Sequence, residues 1–410
     1  MTDFEKKKKD YASLVIRAGI NMQEGQRLEI SCPVECADFA RLCADAAYEA
    51  GCSEVIMRWN DDELTRMKYL KAADGVFDRV NSWETDLLNT LSEEGAGFLT
   101  IYAEDPNLLD GVDPDRITRA QKSSGKALKA YRKRMMRGEC PWCICSVPSA
   151  AWARAVFPEL SEEEAVGRLW EEIFAACRVD GENALANWKE HTDSIKKHLD
   201  ILNGYNFKTL KYRNSAGTDV TVGLPEGHIW TGGDEEAANG IMFAANIPTE
   251  EAFTLPDRNS VNGTLVATKP LSLNGTIIEN FSFRVENGKI VEVRAEKGED
   301  ILKDAISVDE GASYFGEVAL VPYDSPINKS GVLFLNTLFD ENASCHFAFG
   351  EAYPCIMGAD SMSEEEMKEK GVNSSMTHVD FMVGSPDLEI TGITHDGEEI
   401  PVFINGNFAF

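Results

Sequence analysis

Along the first half of the chain, short apolar runs alternate with stretches whose apolar residues recur at helical spacing. Arg27 to Cys32 alternates as a strand does, and Phe39, Leu42, Cys43, Ala46 and Ala47 then share one helical face that Gly51 closes. Glu54 to Trp59, Gly97 to Ala103 and Trp142 to Val147 repeat the strand signal, with helical segments between them. This alternation predicts an α/β domain with an open, mostly parallel sheet, because parallel neighbours need crossover connections. Ser161 and Glu164 form a capping-box pair ahead of Val166, Leu169, Trp170, Ile173, Phe174 and Cys177, which lie on one helical face. A further helix is expected from about Asn183 to Asn203, with Gly204 as its left-handed cap.

Beyond Phe207 the texture changes to short β-branched runs separated by turn signals: Asn214 to Gly217, Asn262-Gly263, Asn274-Gly275, Asn287-Gly288 and Asp396-Gly397. Thr264 to Thr268, Thr276 to Ile278, Ser282 to Val285 and Ile290 to Ala295 read as antiparallel strands. Two domains are therefore expected, an α/β domain over residues 1–204 and an α+β, β-rich domain over residues 205–410. The chain length of 410 residues fits that division, since single cores stop growing at roughly 250 to 300 residues.

Composition narrows the function classes. A hydrophobic fraction of 43% with 27% charged residues is that of a globular protein, and no apolar run approaches the roughly 18 residues of a membrane span. The Lys6 to Lys9 run is followed by mixed sequence and not by an apolar stretch, so no signal peptide is visible and a cytoplasmic setting is expected. With 69 acidic against 40 basic residues, the net charge of -29 opposes phosphate backbones and anionic lipid. Neither nucleic acid nor a membrane is an expected partner. The basic residues Arg119, Lys122, Lys126, Lys129 and Lys133 approximate a stripe, either a solvated face or a contact to an acidic partner subunit. Ten cysteines read as reduced, mostly buried thiols. Cys140-Pro-Trp-Cys143 has the spacing of a redox pair, but a strand through the motif and the lack of a second such pair argue against redox or zinc use.

Candidate chemistry gathers in the C-terminal half. Of six histidines, His191, His198, His228 and His395 sit on a charged helix or in Gly-flanked turns, where surface or capping roles suffice. His378 and Asp380 stand two apart beside Phe381-Met382-Val383; on a strand they share a face, either as a half-site for a borderline cation or as a structural hydrogen-bonded pair. Glu250 and Glu251 follow Pro248 in an apolar neighbourhood, so they are either a solvated turn or buried acids that need a counter-ion. Glu317 interrupts the strand-like run Tyr314 to Val321 and needs a partner if it points inward. His346 and Tyr353 add an imidazole and a phenol seven positions apart.

These segments resemble the thermophilic metallo-aminopeptidase family of the aminopeptidase T and aminopeptidase S type. The resemblance is carried by Asn246-Ile-Pro-Thr-Glu-Glu-Ala-Phe-Thr254, Gly316-Glu-Val-Ala-Leu-Val321, Asn336-Thr-Leu-Phe-Asp-Glu-Asn-Ala-Ser-Cys-His346 and His378-Val-Asp-Phe-Met382, in that order, and by Gly19 to Gln26 near the start. It implies metal ligands at Glu250, Glu317, His346, Tyr353, His378 and Asp380, holding two divalent ions drawn from zinc, cobalt, magnesium or manganese. Three carboxylates with a bridging hydroxide carry about four negative charges, which two divalent cations would balance. Glu251 is then the expected general base, and Tyr353 either binds metal or stabilises the oxyanion. The implied substrates are peptides with a free N-terminus, and the implied assembly is a homodimer. The competing readings are a dinuclear amidohydrolase acting on a non-peptide amide, and a thiol-redox protein using Cys140 and Cys143.

Overall fold

Segments Arg27–Pro33 (β1), Glu54–Asn60 (β2), Gly97–Tyr102 (β3) and Trp142–Ser146 (β4) are strands in the computed structural model, which describes residues 2–179, 183–273 and 276–410. They pair in parallel in the order β2, β1, β3, β4, and the short strand Asn246–Ile247 (β5) pairs in parallel with β4. Helices such as Ala37–Glu49 and Ser82–Glu93 lie in the connections, as a parallel sheet requires. Leu28, Ile30, Leu99, Ile101, Cys143 and Cys145 are buried, which is why these strands read as near-continuous apolar runs. The buried acid Glu29 of β1 is paired, its carboxylate accepting from Arg58 Nε of β2 at 2.8 Å.

The chain divides into two compact units, one of Met1–Thr192 with Asp234–Pro248 and the other of Asp193–Gly233 with Thr249–Phe410. Each unit takes two segments, where the sequence suggested one boundary after Gly204. Gly204 itself lies within a helix, Ala184–Tyr205, and Asn206 supplies the left-handed residue beyond its end (φ 46°). Asparagine tolerates that conformation through its short polar side chain. The capping box of Ser161 and Glu164 opens helix Glu162–Ala176 as expected.

Cys140, Cys143 and Cys145 are buried free thiols, with β4 running through the motif. Burial pushes Cys140 up to about 11 and raises Cys143 and Cys145 as well, the opposite of what a reactive thiolate needs. Lys122, Lys126, Lys129 and Lys133 are at least partly exposed on helices Pro114–Ala127 and Lys129–Met136, while Arg119 pairs with Asp78 at 2.6 Å.

The second unit holds an antiparallel sheet of eight strands in the spatial order Lys289–Arg294, Ser282–Glu286, Val261–Val266, Asp219–Gly223, Thr209–Arg213, Glu389–Ile393, Glu399–Ile404 and Asn407–Phe408. Asn287-Gly288 makes the hairpin turn expected of it, both residues at positive φ. Asn262-Gly263 does not. It lies inside Val261–Val266, where a Cβ on Gly263 would sit 2.2 Å from the carbonyl oxygen of Asp219, so the glycine permits close strand approach. The Asn274-Gly275 signal lies outside the described residues.

A second sheet in this unit runs Ala252–Thr254 (β6), Phe315–Leu320 (β7), His346–Gly350 (β8) and His378–Met382 (β9), all antiparallel neighbours. One of its faces is apolar. Val318, Leu320, Phe347, Phe349 and Phe381 join the core with Tyr212 and Phe283, and the Phe283 and Phe381 rings meet at 5.0 Å between centroids. The opposite face carries the chemistry.

Candidate metal centre

Strand alternation places the apolar and the ionisable residues on opposite sides of the second sheet. Glu317 pairs with Ala348, which pairs with Asp380, while Ala319 pairs with His346 and Gly350 with His378. Cross-strand partners share a face, and so do residues two apart, so Glu317, His346, His378 and Asp380 project from one side. The alanines between them leave room for the long side chains.

A bulge makes this arrangement possible. Phe315 pairs with Phe349 and Glu317 with Ala348, so Gly316 is an extra residue on β7. In a regular strand Phe315 and Glu317 would face the same way. With the bulge, Phe315 stays in the core while Glu317 turns to the polar side. Only glycine fits, since a Cβ at position 316 would lie 2.1 Å from the carbonyl oxygen of Glu351 and 2.7 Å from that of Gly350.

Glu251 completes the group. Ala252 is on the core side of β6, and Glu251, one residue earlier, points the other way. Its Oε2 lies 3.2 Å from His346 Nε2, which is also 3.4 Å from Glu317 Oε1. The second oxygen of Glu317 lies 3.8 Å from His378 Nε2, and that nitrogen is 3.4 Å from Asp380 Oδ1. The donor atoms of Glu251, Glu317 and His346 all lie within 4.8 Å of one another.

The family resemblance implies a ligand at Glu250 and a base at Glu251. In the structure it is Glu251 that meets Glu317 and His346, whereas the Glu250 amide is bonded to Asn342 Oδ1 at 2.7 Å. Both glutamates are buried, and it is the Glu251 carboxylate that lies 3.2 Å from His346 Nε2. Tyr353, 36% exposed, stands at the edge of the group with its ring 5.6 Å from that of His378. His198 stacks on Phe408, and His228 is buried with Nδ1 on the carbonyl of Pro225, so neither belongs to the group. Sequence reasoning misses two participants, Glu341 and Asn342, although they stand within the segment Asn336 to His346. Their signal is the unbroken polar run Asp340-Glu341-Asn342 shortly before a buried histidine.

The histidines are oriented from behind. Nδ1 of His346 faces the carbonyl of Ser344 at 3.3 Å, and Nδ1 of His378 faces that of Glu351 at 2.7 Å. A carbonyl only accepts, so each Nδ1 carries a proton and each Nε2 is turned toward the carboxylates, the arrangement that tunes an imidazole as a metal ligand.

The electrostatics follow from burial and crowding. Burial raises the carboxyl of Glu317 even though His346 opposes it, and burial together with the charges of Asp380 and Glu251 raises Glu341 well above the ordinary range. Burial would raise Asp380 too, but the charge of His378 outweighs it and holds that carboxyl low. Burial would lower His346, yet its bonds to Glu251 and Glu317 carry it well above the usual value. For His378 the charge of Asp380 overcomes burial and lifts the imidazole to about 10. Acids this close and this buried need positive charge among them, from protons on the imidazoles or from a cation. Three carboxylates and two imidazoles suit a divalent ion of zinc, cobalt or manganese type.

A pH dependence follows for protein stripped by a chelator. The folded-state value of His378 lies above its ordinary 6.5, so the stability it contributes is complete below that pH and disappears as the pH rises through about 10. Thermal melts of chelated protein are expected to fall across that window, and a rising melting temperature would contradict the assignment.

Comparison with known proteins gives a coherent picture. The family described as thermophilic metalloprotease (M29) matches residues 4–408. The chain is 46% identical over its whole length to aminopeptidase AmpS of Bacillus subtilis (strain 168), covering all of that protein too. It is 40% identical to aminopeptidase T of Thermus thermophilus, again covering all of both chains. Its structure is similar to that of wild-type AmpT from Thermus thermophilus, with a TM-score of 0.92 at 39% identity, covering 99% of this chain and 100% of the other.

Proposed function

This chain belongs to the thermophilic metalloprotease family M29, and from that membership and the site geometry we propose that it is a metal-dependent aminopeptidase releasing N-terminal residues from peptides. The observation that carries the reading is the position of Glu317, whose two carboxylate oxygens face two different imidazoles, His346 and His378. Each imidazole has a further acid beside it, Glu251 on one side and Asp380 on the other. This supports two adjoining cation positions that share Glu317.

When bound, such cations supply Lewis-acid polarisation of the scissile carbonyl and make water acidic enough to attack near neutral pH. The remaining work falls to the chain. Glu251 and His346 would hold one ion, His378 and Asp380 the other. The net charge of -29 on the chain favours approach of the free ammonium of a peptide. Tyr353, at the exposed edge, donates its hydroxyl toward the oxyanion that develops on the carbonyl.

Proton transfer is assigned to Glu341 in place of Glu251. Burial and the charges of Asp380 and Glu251 raise the Glu341 carboxyl, which favours its taking up a proton from water for return to the leaving amine. Glu341→Gln is expected to keep its cation content by elemental analysis while kcat falls at least about a hundredfold. Loss of cation in that variant would make Glu341 a ligand instead.

The proposal as a whole is tested by chelation. Release of N-terminal residues from a peptide panel should cease on chelation and return with added cobalt, zinc or magnesium, and N-acetylated peptides should be poor substrates. Full activity after exhaustive chelation, or preference for non-peptide amides, would overturn it.

A further inference from the structure

We infer that Asn342 is a positioning residue that determines which of two adjacent glutamates faces the cation pocket and holds that glutamate in place. The inference rests on the proposed reading of Glu251 as a cation-holding residue.

The need for such a device arises from where strand pairing begins. Pairing between β6 and β7 starts at Ala252, opposite Leu320, so the ladder does not reach the buried Glu250 and Glu251. The amide of Glu250 therefore requires an acceptor from elsewhere, because an unpaired buried amide is costly. Asn342, distant in sequence and fully buried, supplies it: its Oδ1 accepts from the Glu250 N–H at 2.7 Å. The other end of the same amide donates to the carbonyl of Leu338 at 2.9 Å. With an N–H at one end and a carbonyl at the other, the side chain has one satisfactory orientation.

Holding the Glu250 amide keeps this segment extended, so Glu251 continues the alternation of β6 and emerges on the polar face. The far side of the Glu251 peptide is also confined. A Cβ on Gly232 would lie 2.1 Å from the Glu251 carbonyl oxygen, so glycine there lets the backbone close against it. Asn342 Nδ2 also lies 3.4 Å from Oε1 of Glu341, so one buried amide touches both the segment bearing Glu251 and the residue assigned to proton transfer. Groups that orient a metal ligand in this way typically matter roughly tenfold to a hundredfold in metal affinity.

The test compares Asn342→Ala with Asn342→Asp. The aspartate retains an acceptor for the Glu250 amide; the alanine does not. Two measurements are made on folded full-length protein: cobalt affinity by optical titration, and hydrogen exchange at the Glu250 amide. Asn342→Ala should bind cobalt at least about tenfold more weakly and expose the Glu250 amide to faster exchange. Asn342→Asp loses the donor to the Leu338 carbonyl but keeps the acceptor, so the Glu250 amide should stay protected within about threefold of the parent exchange rate. Where the alanine variant does not fold, Asn342→Ser, too short to reach the amide, carries the same expected loss. Parental affinity and protection in the alanine or serine variant would overturn the inference, as would an aspartate variant whose Glu250 amide exchanges as fast as theirs. Failure of the parent protein to cleave peptides would overturn the aminopeptidase reading instead, and the amide-exchange comparison would still decide the role of Asn342.

Discussion

Glu317→Gln is expected to lose bound divalent cation and to fall in kcat/KM by at least about a thousandfold, roughly 4 kcal/mol of transition-state stabilisation. The substitution preserves shape and removes one negative charge, so the effect reports charge and ligation, not packing. Glu317 is the residue whose loss touches both imidazoles at once, since its two oxygens face His346 and His378 separately. An amide presents one acceptor oxygen and one NH2, and that donor cannot coordinate a cation. The checks are elemental analysis after dialysis and steady-state kinetics at saturating cobalt. A variant that retains the parent's cation content and most of its activity would remove Glu317 from the proposed cation site.

Gly316→Ala should cost about 3 kcal/mol or more of stability and abolish activity in whatever protein still folds. The added methyl meets backbone, the carbonyl oxygens of Glu351 at 2.1 Å and Gly350 at 2.7 Å, and neither can rotate away as a side-chain end could. Relief requires the bulge to open. Opening it restores regular alternation on β7, and then Phe315 and Glu317 compete for one side of the sheet: either the ring leaves the core or the carboxylate leaves the site. Denaturant unfolding and cation content measured together test this. An alanine variant of parental stability with full cation content would show that the bulge is not what aims Glu317.

Legibility divides along a clear physical line. The parallel sheet of the first unit and the helix starting at Ser161 are readable because periodicity and capping are local; a strand's burial and a helix's first turn are set by residues a few positions apart. The Asn287-Gly288 turn is readable for the same reason. Asn262-Gly263 has similar local chemistry, but the close approach of Asp219, about forty residues away by sequence, makes it part of a strand.

The candidate site shows the division more sharply. The ionisable residue types, and the anomaly of acids within apolar runs at Glu317 and Glu250-Glu251, are properties of the chain alone, because a buried charge without a partner is unfavourable whatever the fold. What the chain alone does not carry is position. Whether Glu250 or Glu251 faces His346 depends on the phase of β6 against β7 and on an amide that Asn342 brings from the 3-10 helix Glu341–Ala343. Whether Glu317 points to the core or to the histidines depends on one extra residue in the pairing of β7 with β8. A one-residue change in register reverses every side chain of a strand, so sequence supplied the donors, while the choice of those that meet belonged to the pairing of distant strands.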